Sequence, residues 1–83
     1  KEKPPCPFGE ILIKARSERG ITQYRLAKLV GRNPRYISQL EHNKREPQLS
    51  TVIMLARALQ MDAGDLVREV DKIMPEWPAP SED

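Results

Sequence analysis

The chain has 83 residues, with 14 Lys and Arg, 12 Asp and Glu, one His and one Cys, and a chain this short buries only about 60% of its unfolded surface on folding. That leaves little room for a deep catalytic cleft. Cys6 has no second cysteine to bond and only His42 to accompany it, so neither an internal disulfide nor a metal-ligand set is expected, and no apolar run reaches membrane-spanning length. No secretory signal pattern is visible at the N-terminus, and a cytoplasmic protein without cofactor, metal or membrane partner is expected.

The charge is unevenly distributed. Residues 1–61 hold twelve Lys and Arg against five Asp and Glu, whereas residues 62–83 hold two against seven. A basic body suits a polyanionic partner, and an acidic C-terminal part would face away from it.

Residues 1–7, with three prolines and two lysines, are expected to form a flexible arm. Phe8, Ile11, Leu12 and Ala15 recur at helical spacing until Gly20, which predicts a first helix ending at Arg19. Thr22 is a good N-cap for a second helix over Gln23–Val30, marked by Leu26, Ala27, Leu29 and Val30 and stopped by Gly31. Asn33 caps a third, Pro34–His42, with Pro34 at the first helical position and Ile37 and Leu40 facing inward. Residues 43–47, polar and closed by Pro47, read as a loop.

A fourth helix follows to about Gln60, with an apolar stripe of Val52, Leu55, Ala56 and Leu59 flanked by Leu49, Ile53 and Met54. Asp62 caps a fifth through about Lys72, whose inward residues would be Leu66, Val67, Val70 and Ile73. Residues 8–74 thus form one all-α, five-helix domain, and residues 75–83, rich in proline and acid, an acidic tail with Trp77 as its one anchor.

The second and third helices are separated by Gly31, Arg32 and Asn33 alone, the spacing of a helix-turn-helix whose second helix enters the DNA major groove. Ala27 must be small where the helices cross, Gly31 suits the left-handed turn, and Ile37 and Leu40 lock the second helix to the core. The run Gly20-Ile-Thr-Gln-Tyr-Arg-Leu-Ala-Lys-Leu-Val-Gly31, then Tyr36-Ile-Ser-Gln-Leu-Glu41, Pro47 and Leu55-Ala-Arg-Ala-Leu59 resembles the phage repressor and Cro (XRE-type) family over roughly residues 8–70. The resemblance implies a lambda-repressor-like five-helix domain that binds operator DNA as a two-fold dimer.

Carried over by the resemblance, Gln23 would contact a backbone phosphate and brace the recognition helix, and Arg16 and Glu41 would form a buried ion pair between the first and third helices. Pro34, Arg35, Tyr36, Ser38 and Gln39 would face the bases. Arg35 can bond a guanine and Gln39 an adenine through two parallel hydrogen bonds, and Ser38 is short and permissive. Pro34 departs from the polar residue many relatives carry there, and could touch a thymine methyl instead. Tyr36 is larger than the usual serine or threonine, so either its hydroxyl reaches a phosphate or its ring packs on the neighbouring loop. Asn43, Lys44 and Arg45 fit phosphate contacts that position the domain without reading sequence.

One recognition helix reads only a few base pairs, so a homodimer on an inverted repeat is expected. Leu66, Val70, Ile73, Met74 and Trp77 could present the apolar strip that joins the two copies. The function expected is sequence-specific transcriptional regulation, as repressor or activator, on a double-stranded DNA operator. The alternative is an antitoxin or docking module whose C-terminal tail binds a partner protein. Catalysis is not expected, because no nucleophile stands beside a base and no glycine-rich phosphate loop is present.

Overall fold

The computed structural model describes residues 6–75, which form five α-helices: α1 (Phe8–Glu18), α2 (Gln23–Val30), α3 (Pro34–Glu41), α4 (Leu49–Ala58) and α5 (Ala63–Ile73). Side-chain caps set the starts of α2, α3 and α5. Thr22 Oγ1 accepts from the Arg25 N–H at 3.0 Å, Asn33 Oδ1 from Arg35 at 2.8 Å, and Asp62 Oδ1 from Asp65 at 3.1 Å. Each satisfies an N–H that the first turn of a helix leaves without a carbonyl.

The first four helices end alike. A residue with positive φ follows each last turn, namely Gly20, Gly31, Asn43 and Gln60, and its own amide and that of the next residue bond back into the helix. After α3, for instance, Asn43 N–H donates to Leu40 O and Lys44 N–H to Gln39 O; after α4, Gln60 N–H donates to Arg57 O and Met61 N–H to Ala56 O. This paired closure leaves no room for another helical residue. Gln60 holds its left-handed conformation (φ 58) with a side chain that disfavours it by about 1 kcal/mol or more. Gln60→Gly is therefore expected to stabilise the domain by about 1 kcal/mol, raising Tm by roughly 4–8 °C; a calorimetric Tm at or below the parent's would count against this account of the turn.

The core runs through all five helices. Leu12, Leu26, Ile37, Leu40, Leu55, Leu59 and Leu66 are its large, fully buried members, joined by Phe8, Ile11, Ala15, Ala27, Val30, Tyr36, Val52 and Ala56. Pro7 is buried and Cys6 packs against the core, so the body begins two residues inside the stretch read as an arm. Several apolar residues read as inward or flanking lie outside. Leu29, Leu49, Met54, Val67 and Ile73 are all exposed.

Leu66 and Val67 show why. Neighbours on a helix point about 100° apart, and of these two only Leu66 lies on the side of α5 that enters the core, where it is fully buried. Leu66 is consequently core, not part of an external strip, and Val67, 48% exposed, takes the outward place.

Polar ties complete the frame. Arg19 Nε donates to the carbonyl of Leu59, joining α1 to the end of α4. On α5, Arg68 pairs with Asp65 one turn earlier; that hydrogen bond first, and the carboxylate's charge second, raise the Arg68 pKa.

Candidate nucleic-acid interface

α2 and α3 pack against each other across the turn at residues 31–33, and α3 also packs on α1. The inner side of α3 is fixed by Ile37 and Leu40, both fully buried, and by Glu41, which is 4% exposed. A carboxylate this enclosed needs partners. Arg16 supplies two, its Nε at 2.6 Å from Oε2 and its Nη2 at 3.1 Å from Oε1, while Gln23 Nε2 donates to Oε1 at 2.8 Å. Arg16 Nη1 also donates to Ile21 O at 2.8 Å. One buried acid thereby ties α1, α2 and α3 together, and Gln23 spends its amide on bracing α3.

A second tie seats the other end of α3. The α1 backbone comes so close there that a Cβ on Gly9 would stand 2.6 Å from Leu40 O and closer still to Glu41 O. Asn43 Oδ1 accepts the Gly9 N–H at 2.7 Å. Asn43, read as a phosphate contact, thus has its side-chain oxygen engaged within the fold.

The outer side of α3 carries Arg35, which is exposed, with Pro34, Ser38 and Gln39 half-buried beside it; Lys44 and Arg45 follow, both exposed. His42, at the helix end, places Nδ1 2.8 Å from Ser38 O. Tyr36 differs from the other residues read as base-facing. It is only 9% exposed, its ring belongs to the core, and the guanidinium carbons of Arg32 and Arg45 lie 3.7 Å and 5.3 Å from the ring centroid. Of the two readings of Tyr36, the packing one describes its position in this structure. Arg32 itself was not singled out by the sequence, because nothing local marks a turn residue that stacks on a side chain of the next helix.

Of the residues read as an external strip, Val70 and Met74 are half-buried and Ile73 is 44% exposed on α5. Trp77 lies outside the described residues, as does the remainder of the tail read as a protein-binding element. Among the described residues no group of three or more His, Cys, Asp or Glu could hold a metal ion, and no helix is long and apolar enough to cross a membrane.

Five helices over the described residues, with α2 and α3 joined by a three-residue turn and Arg35 exposed on α3 ahead of the basic pair Lys44 and Arg45, define a helix-turn-helix protein. The sequence signature of the Helix-turn-helix family (HTH_3) matches residues 12–66, and the chain belongs to this family in its phage repressor and Cro (XRE) form, a family of DNA-binding transcriptional regulators and not of enzymes. An uncharacterized HTH-type transcriptional regulator, y4dJ of Sinorhizobium fredii, is 33% identical over 64 residues, spanning 77% of this chain and 83% of that one. The restriction-modification controller protein C.AhdI from Aeromonas hydrophila has a similar structure (TM-score 0.70, 31% identity, 74% of this chain and 92% of that chain). The DNA-binding domain of the P22 C2 repressor is also similar (TM-score 0.71, 31% identity, 78% of this chain and 86% of that chain).

Proposed function

We propose that this chain regulates transcription by binding an inverted-repeat operator as a homodimer, with α3 read into the major groove. The observation that carries the reading is the two-sidedness of α3. Its inner face is held by apolar burial and a buried ion pair, while Arg35 stands in solvent at its start and Lys44 and Arg45 follow its end. Rigid seating of the reading helix is what base discrimination needs, since a bidentate contact is lost if the helix shifts.

In this reading Arg35 and Gln39 address base edges, with Pro34 and Ser38 setting how closely the helix approaches, and Lys44 and Arg45 hold phosphates. Gln23 and Asn43 act on DNA chiefly through the fold, by bracing the two ends of α3, and Tyr36 does so by packing. Val67, Val70, Ile73 and Met74 give α5 an apolar outer edge suited to a second copy. The acidic C-terminal part would be repelled by DNA and so placed away from it.

Selection from random duplexes with the purified protein tests this directly. An enriched inverted repeat with half-sites about one helical turn apart is the expected result; absence of enrichment would overturn it. On the selected site, Arg35→Ala is expected to cost about 1–3 kcal/mol and to relax preference at one position, whereas Lys44→Ala should weaken all duplexes alike and flatten the salt dependence by about one unit. Unchanged binding by Arg35→Ala would mean that the reading surface lies elsewhere.

A further inference from the structure

Arg32 comes from the turn before α3 and Arg45 from the loop after it, yet the guanidinium carbons of both lie near the ring of Tyr36, at 3.7 Å and 5.3 Å from its centroid. Both arginines are exposed, whereas Tyr36 is only 9% exposed and belongs to the core. A neutral ring attracts each cation through its π face without cancelling the charge. A guanidinium in contact with a ring face still has its N–H donors arrayed in its own plane, directed past the ring edge, in the geometry that suits phosphate oxygens.

The two side chains are also relieved of much of their wandering, so less freedom is lost when an anion binds. Two exposed like charges drawn to one ring of α3 form a site whose complement is an oxyanion.

We infer that Arg32 and Arg45, held by Tyr36, form a backbone-phosphate clamp, each arginine meeting one phosphate of a duplex strand running past α3. This rests on the DNA-binding reading above and adds Arg32 to it as a phosphate-binding residue, with Tyr36 as the positioning residue. Neither role requires sequence recognition.

The test is fluorescence anisotropy of the full chain on a random duplex and on its selected site, across a salt series. Arg32→Ala and Arg45→Ala should each flatten the slope of log affinity against log salt by about 0.9, and the double variant by about twice that. Between about 50 and 200 mM salt each single variant should then lose roughly three- to fourfold less affinity than the parent loses. The loss relative to the parent should be the same on both duplexes, since phosphates carry no sequence.

In a Tyr36→Leu background, confirmed as folded by circular dichroism, the further effect of Arg32→Ala on the slope should shrink. A full effect there would overturn the positioning role of Tyr36. If that background fails to fold, Arg32→Lys takes its place: lysine keeps the charge without the planar stack, and a weaker affinity and a flatter slope than the parent's are expected, a parent-like affinity and slope overturning the role. A parent that binds duplex while Arg32→Ala keeps the parent's slope would overturn the clamp and leave the DNA reading intact. A parent that binds no duplex even at low salt would overturn both.

Discussion

Arg16→Ala is expected to destabilise the domain by about 3–5 kcal/mol, the range for a buried pair deprived of one partner. The side chain of Glu41 is 2% exposed and that of Arg16 18%, so removal of the guanidinium leaves a carboxylate almost wholly enclosed. Gln23 would remain as its one side-chain donor among those seen here. Such a loss is a large part of the 5–15 kcal/mol that holds a domain together, and urea unfolding followed by circular dichroism would register it.

The paired change Arg16→Ala with Glu41→Ala should cost less than the sum of the two single changes, because no charge is then stranded. A loss below about 1 kcal/mol in Arg16→Ala, as for an exposed ion pair, would show that water reaches Glu41 freely.

Gly9→Ala is expected to cost about 3 kcal/mol, although alanine is the better helix former by about 1 kcal/mol. The added carbon would meet main-chain atoms, Leu40 O at 2.6 Å and Glu41 O closer still. Backbone cannot rotate aside as a long side chain can, so α1 and α3 must part, and overpacking of this kind typically costs 1–3 kcal/mol and occasionally more (roughly). The same displacement would stretch the Gly9–Asn43 hydrogen bond. A fall in Tm of more than about 10 °C is expected; an unchanged or higher Tm would mean that the close approach is readily relaxed.

What was legible in the sequence was what depends on near neighbours. Thr22, Asn33 and Asp62 announce helix starts because each serves an amide two or three residues away, and Gly20 and Gly31 announce stops because a left-handed residue is needed there. Gln60 turns the chain in the same way without a glycine to mark it. The roles that long range decides were harder to see. Asn43 looked like a free polar residue beside a basic pair, and only the arrival of Gly9 from 34 residues away engages its oxygen.

Leu66 and Val67 are adjacent and equally apolar, so their sequence does not choose which one enters the core; the way α5 packs on α1 and α4 does. Tyr36 was open to two readings for a like reason. Its size suits an outward or an inward place equally, and its packing in the core with Arg32 and Arg45 against its ring decides for the inward one. The Arg16–Glu41 pair, by contrast, was anticipated only through family resemblance, since 25 intervening residues give no local sign of it.

The abutment of α1 on α3 has an electrostatic consequence. A helix carries about half a positive charge at its start and half a negative charge at its end, and the start of α1 lies against the end carbonyls of α3. The last turn of α3 has no basic residue and ends on Glu41, an arrangement that would repel in an isolated helix. Here the positive pole of α1 and the guanidinium of Arg16 answer both the pole and the acid from within the protein. Enclosed charges are screened by ions far less than exposed ones. The seating of α3 should hence persist through the salt range that weakens the proposed grip on phosphates, so that ionic strength would tune occupancy of DNA without loosening the helix that reads it.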